Sequence, residues 1–140
     1  MFYKEEKTND SGRLITVGGL DDYSLSDTFE CGQCFRFELV RRDGEYEEYL
    51  TVIKDRLVRV GQRKHGELLF YDFTEKDFLE ILVPYFSLDT DYTEIRNDIL
   101  KNTDSEWLKR AVHASVGLRI LRQDKWETLF SFIFLLILSL

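Results

Sequence analysis

The stretch Gly117-Leu118-Arg119-Ile120-Leu121-Arg122-Gln123-Asp124-Lys125-Trp126-Glu127-Thr128-Leu129-Phe130-Ser131-Phe132-Ile133 decides how this chain is organised. Its first half is basic and lacks helical periodicity, so it predicts an extended approach. Its second half predicts a sharply started helix. Asp124 can accept a hydrogen bond from the N–H of Glu127, and Glu127 can reach back to the N–H of Asp124, a capping box with Asp in the leading position. The helix then runs through an apolar tail to Leu140. Upstream of all this stands Gly32-Gln33-Cys34-Phe35-Arg36-Phe37, where a glycine precedes an alternating segment.

Between these two motifs the chain divides into strands and then helices. Phe35, Phe37 and Leu39 alternate with Arg36, Glu38 and Val40, the period of a half-buried strand. Asp43-Gly44 predicts a hairpin in which glycine supplies a positive φ. The return strand over 45–53 sets Tyr46, Leu50 and Val52 on one face. Further strands are expected at Leu57–Val60 and Leu68–Phe73, with a polar turn over Gly61–Gly66 between them. An earlier strand near Arg13–Val17 ends at Gly18-Gly19. Thr74 then caps a helix carrying Phe78, Leu79 and Leu82 that Pro84 should end. Asp91 with Glu94 opens a helix with Tyr92, Ile95 and Ile99 inward. Thr103 with Glu106 opens another that carries Trp107, Leu108, Ala111 and Val112. Strands first and helices second predict an α+β domain, an antiparallel β-sheet backed by helices.

The 140 residues, 44% hydrophobic with eleven Phe and seven Tyr, suffice for one domain with a real core. No basic segment precedes an apolar run at the N-terminus, so no signal peptide is expected. The apolar run Leu129–Leu140 is broken by two serines and falls short of the roughly 20 residues that span a bilayer. It is therefore expected to be a core helix lacking its partner, with no membrane contact. The formal charge of −7 argues against DNA binding, which draws on phosphate contacts. The charge is uneven, however: residues 1–106 carry −10 and residues 107–127 carry +3. A basic patch of this size is consistent with nucleic-acid contact or with a solvated charged face.

Several constellations invite chemistry and fall short of it. Cys31-Gly32-Gln33-Cys34 could be half a zinc site, but only His65 and His113 remain as further ligands of the usual kind. A redox dithiol needs its first Cys at a helix N-terminus, whereas Cys34 leads into a strand. Two unlinked thiols are the expectation, with no metal and no cofactor. Asp89 and Asp91 suggest a calcium loop but lack its later glycine and ligands. His65 falls in a polar turn and His113 on a helix without a matching acid or nucleophile.

The two motifs, together with Tyr85-Phe86-Ser87-Leu88-Asp89, resemble the bacterial 8-oxoguanine DNA glycosylase/AP lyases of the helix-hairpin-helix superfamily. The family pattern reads Gly-Gln-Ser/Cys-Phe-Arg-Trp near the front and Gly-x-Arg-x-Leu-Arg-Gln-Asp-Pro-Trp/Ile-Glu-x-Leu-x-Ser-Phe-Ile later, in the same order. The resemblance implies a twisted sheet similar to the TATA-box-binding-protein fold over residues 1–122, with 123–140 starting a truncated all-α domain. It implies base-excision repair: removal of 8-oxoguanine from duplex DNA, with strand cleavage. It also implies that the Gly32 carbonyl accepts a hydrogen bond from N7–H of the flipped base. Gln33, Arg119 and Arg122 are candidate DNA or interdomain contacts.

The catalytic lysine and aspartate of the family lie beyond the matched motifs, so no catalytic residue is assigned here. Lys125, where the family has proline, does not take the nucleophile's place. After Ile133 the sequence departs abruptly from the family's asparagine-rich continuation, which predicts a truncated product without turnover. Its partners would be 8-oxoguanine-containing DNA and a separately encoded catalytic half, in the cytoplasm at the bacterial nucleoid. Two other readings remain: an interaction module docking through its apolar C-terminal helix, and a redox protein using Cys31 and Cys34.

Overall fold

The computed structural model describes residues 1–7, 12–20, 22–64 and 66–138. Its six strands are β1 (Phe2–Lys7), β2 (Arg13–Gly18), β3 (Phe37–Arg42), β4 (Tyr46–Ile53), β5 (Arg56–Arg63) and β6 (Leu68–Tyr71). They form one antiparallel sheet in the order β1-β2-β6-β5-β4-β3. The consecutive strands β3 to β6 make a meander, and β2 joins it beside β6. Helix α1 (Leu25–Glu30) carries the chain from β2 to the far edge. The result is the α+β architecture expected from strands followed by helices.

One face of the sheet is packed. Ile15 and Val17 of β2, Tyr49 and Ile53 of β4, Val58 and Val60 of β5, and Leu68 and Phe70 of β6 point into the core. They meet Leu25 and Phe29 of α1 and the apolar side of the helical run after β6. Phe29 contacts Phe37, Tyr49 and Phe86 with ring centroids 5.3, 5.0 and 6.0 Å apart. Burial of these rings together with the aliphatic side chains around them supplies the main driving force for the domain.

Details of the strands differ from expectation. Tyr46, Leu50 and Val52 do share a face, but it is the more exposed one; Tyr49, Thr51 and Ile53 alternate into the core instead. The period-2 pattern identifies two faces, and only the helices decide which is covered. Strand β5 continues through Gly61 to Arg63, because Gly61 pairs with both Glu48 and Leu69. Phe35 precedes β3 and lies outside it. In the β3–β4 turn Gly44 is not in the left-handed region. The Asp43 carboxylate closes this turn, accepting from Glu45 N at 3.3 Å and Tyr46 N at 3.1 Å. Neither β1 nor α1 was expected. The signature of α1 is Ser24, whose hydroxyl accepts from Asp27 N at 3.2 Å.

The helical half also shifts. Thr74 caps α2 (Glu75–Asp77) through Asp77 N at 3.1 Å, as predicted. The helix does not end before Pro84, however. A π-helical turn (Phe78–Leu82) leads directly into α3 (Val83–Tyr85), which contains the proline. The wide turn lets Val83 N–H reach Phe78 O and relieves the clash a proline ring makes with an α-helical carbonyl. Leu79 is exposed, while Phe78 and Leu82 are fully buried. Asp91 caps α4 (Tyr92–Lys101), accepting from Glu94 N at 2.9 Å. Ser105, not Thr103, caps α5 (Glu106–Ala114). Helix α4 buries none of its residues and α5 buries only Val112, so Ile95, Trp107 and Leu108 face outward. These two helices pack on each other at the rim of the domain.

Residues 117–123 form an extended strap after α5. Gly117 makes an isolated parallel bridge to Tyr23, and its carbonyl accepts from Ser24 N at 2.9 Å. Its φ is +102°, and a Cβ there would lie 2.8 Å from Ser24 Cβ and 3.1 Å from Ser24 N. Gly117→Ala is expected to cost about 2 kcal/mol from backbone strain and this clash. A thermal melt that leaves the midpoint unchanged would refute it.

Candidate functional site

The predicted helix start is α6 (Lys125–Leu138). Asp124 Oδ1 accepts from Trp126 N at 2.9 Å and from Glu127 N at 3.1 Å, so the forward half of the capping box is present. The return half is not. Glu127 Oε2 instead accepts from Arg36 Nη2 at 2.5 Å, because an oppositely charged partner holds it better than a backbone amide does. Phe132 also meets Phe35, with centroids 5.8 Å apart. The helix is thus pinned to the loop that follows α1.

That loop, residues 31–36, carries the first motif. Gly32 has φ +87°, and an added Cβ would meet nothing within 4 Å. The positive φ is a conformation that glycine adopts without steric cost. Gly32 therefore presents backbone to open space. It lies on a cleft of about 650 Å³ whose other walls are Gln33, Phe35, Leu121 and Gln123, with Lys125, Thr128, Leu129 and Phe132 closing it from α6. Phe35, Leu121, Leu129 and Phe132 make the lining mainly apolar, and Gln33, Gln123, Lys125 and Thr128 are its polar members, the composition of a small-ligand site.

Gln33 binds the cleft together from within. Its Nε2 donates to Thr28 O at 2.8 Å and to Arg119 O at 2.7 Å, and its Oε1 accepts from Leu121 N at 2.9 Å. Its own carbonyl accepts from Gln123 Nε2 at 2.5 Å. The loop beside Gly32, the end of α1, the strap and the approach to α6 are joined through this one residue. A glutamine flanked by glycine and cysteine announces none of this, because every partner except Thr28 is distant in sequence.

The two arginines of the strap are engaged inside the same body. Arg119 is 3% exposed. It donates to Asp22 Oδ1 at 2.7 Å and lies over the rings of Tyr92 and Tyr23, 4.3 and 5.2 Å from their centroids. Asp22 also pairs with Arg96. Burial pushes the Asp22 carboxyl up, but Arg96 and Arg119 together outweigh it and hold the acid below the usual carboxylate range. Arg122 donates to Asp89 Oδ2 at 2.9 Å and to Thr90 Oγ1 at 2.7 Å, and half its side chain remains exposed. The bond from Arg122 holds the Asp89 acid down as well. Sequence reading gave Asp22 no role, and a lone acid far from its arginine carries no local signal.

The cysteines are free in this structure, Cys31 exposed and Cys34 buried. Cys31 follows the last residue of α1, the opposite helix end from that used by redox dithiols. Among the described residues, no three His, Cys, Asp or Glu side chains cluster as metal ligands. His113 is exposed on α5, and His65 lies outside the described residues. No helix of the described residues is long and apolar enough to cross a membrane.

Residues 19–129 match the family model described as 8-oxoguanine DNA glycosylase, N-terminal domain. The N-glycosylase/DNA lyase of Saccharomyces cerevisiae is 28% identical over 123 residues, a match covering 78% of this chain and 30% of the yeast protein. The apo crystal structure of Clostridium acetobutylicum 8-oxoguanine glycosylase/lyase superposes with a TM-score of 0.77 at 32% identity, over 95% of this chain and 42% of that one. The same enzyme in complex with double-stranded DNA containing cytosine opposite 8-oxoG gives the same score and identity, over 95% of this chain and 41% of that one. MBOgg1 in complex with a low affinity DNA ligand scores 0.74 at 38% identity, over 95% and 42% of the two chains. This chain thus spans about two fifths of the length of those structures. Its sheet, its strap and the beginning of its last helix together place it in the 8-oxoguanine DNA glycosylase family, to which it belongs as an N-terminal domain.

Proposed function

We propose that this chain is the lesion-facing domain of a base-excision repair system, binding duplex DNA that contains 8-oxoguanine while performing neither excision nor strand cleavage by itself. The observation that carries this is the open cleft at Gly32, whose positive φ presents backbone where no side chain intervenes. The Gly32 carbonyl accepts N7–H of 8-oxoguanine. Guanine has no proton on N7, so two acceptors would oppose each other and the undamaged base is rejected. Residues 1–122 form the domain proper, and 123–140 open the helical domain in which the family's chemistry resides. The setting is the cytoplasm, at the nucleoid. No residue of this chain is assigned a catalytic role.

Binding is measured at low ionic strength, since a chain of formal charge −7 gains little from phosphate contacts. The expected result is preference for an 8-oxoguanine:cytosine duplex over guanine:cytosine by roughly three- to tenfold, the worth of one hydrogen bond. Gly32→Ala, which sets a methyl group at the cleft, should abolish that preference. Equal affinity of the unaltered chain for both duplexes would refute lesion reading, and excised base from pure protein would refute the absence of turnover.

A second reading is favoured by one feature, the exposed apolar surface of α6, which suits a module that docks a protein partner.

A further inference from the structure

Gly32 offers a carbonyl to the cleft but has nothing of its own to aim it with. Its φ is +87°, and beyond its chain neighbours no heavy atom lies within 4 Å of the place a Cβ would occupy. A glycine in open space turns about its backbone dihedrals at little steric cost. Its carbonyl shares a planar peptide unit with the N–H of Gln33, and the two move together. Whatever holds Gln33 therefore aims Gly32.

Gln33 is held at two separate points. Its side-chain amide binds Thr28, Arg119 and Leu121, which anchors the loop to the body of the domain. Those bonds fix the far end of the side chain and leave the backbone free to swivel. The main chain has its own clamp, the bond from Gln123 Nε2 to the Gln33 carbonyl at 2.5 Å. A carbonyl can only accept, so the Gln123 amide must present its NH2 group there. With both its side chain and its carbonyl fixed, Gln33 keeps the adjoining Gly32 peptide in one direction. Gln123 is half-buried, lines the same cleft and stands on firm support. Arg122 N before it donates to Tyr85 O at 2.9 Å, and Asp124 after it caps α6. An anchored donor on a free hinge organises a site before its ligand arrives.

We infer, on the Gly32 reading proposed above, that Gln123 is the positioning residue for lesion recognition, orienting the Gly32 carbonyl through its bond to Gln33. Gln123→Met keeps the length of the side chain and removes the donor. Preference for the 8-oxoguanine:cytosine duplex over guanine:cytosine should then fall from roughly three- to tenfold to below about twofold. Gln123→Glu sets an anionic oxygen against the same carbonyl at neutral pH and should act alike. A merely structural role would weaken binding of both duplexes in proportion and leave the ratio unchanged, which overturns the assignment.

Magnetic resonance gives a readout without DNA. In the unaltered chain a scalar coupling across the hydrogen bond should join Gln123 Nε2 to the Gln33 carbonyl carbon. The Gln33 amide reports the Gly32 peptide plane; its order parameter should drop from about 0.85 to below about 0.6 in Gln123→Met. Absence of the coupling, or unchanged order in the variant, overturns the role of Gln123 whatever the duplexes show. Equal affinity of the unaltered chain for both duplexes removes that role together with lesion reading. A preference that survives Gln123→Met removes the role of Gln123 alone.

Discussion

Gln33→Leu is expected to cost about 4 kcal/mol and to lower the melting midpoint by roughly 12–20 °C. Leucine fills nearly the same space, so packing is little changed. What is lost is one amide that serves three backbone groups: the carbonyls of Thr28 and Arg119 and the N–H of Leu121. All three lie in a part-buried seam where a replacement water would need space among them. An unmet buried polar group costs about 1–3 kcal/mol, more than the net value of the bond it would have made. Gln33→Glu separates bonding from shape. It keeps the acceptor for Leu121 N but turns the donor into a carboxylate facing two carbonyl oxygens, so it should not rescue stability at neutral pH. Hydrogen exchange at the Leu121 amide gives a local readout, faster in Gln33→Leu than in the unaltered chain. A leucine variant melting within a few degrees of the parent would show that the strap is held by other contacts.

Arg119→Met ranks next, at about 3 kcal/mol. The substitution removes a buried guanidinium that bonds Asp22 and stacks on Tyr92 and Tyr23. Each aromatic contact is worth about 0.5–2 kcal/mol. Loss of one partner of a buried pair usually costs about 3–5 kcal/mol, but Asp22 keeps Arg96 and remains a quarter exposed, which reduces the penalty. The pH dependence follows from the lowered pKa of Asp22. Because the folded value lies below the unfolded one, the stabilisation is complete above the unfolded value, near pH 4, and disappears as pH falls through the folded value. Arg119→Met should therefore show a shallower loss of stability below about pH 4. Equal slopes in acid titrations of the two proteins would contradict this.

These two residues also mark the limit of sequence reading. Arg119 and Gln33 both stand out within motifs, and each invites an outward role. In the folded chain both turn inward, because partners 86 to 97 positions away arrive beside them. Glu127 repeats the lesson on a smaller scale. Its local geometry allows a reciprocal cap, and Arg36, 91 positions away, takes it instead.

Local chemistry alone determined the strands β2 to β6 and the helices that follow them, the caps at Thr74, Asp91 and Asp124, the extended strap, and the unusual backbone freedom at Gly32. Each depends on residues within a few positions of one another, where side-chain period and hydrogen-bonding capacity suffice. Tertiary structure decided which sheet face is buried, how Pro84 is accommodated by a π-turn, and why Arg119 is buried. It also brought Gly32, Gln33, Gln123 and α6 around one cleft. Those outcomes rest on contacts between distant segments, and no local period encodes which distant partner will arrive.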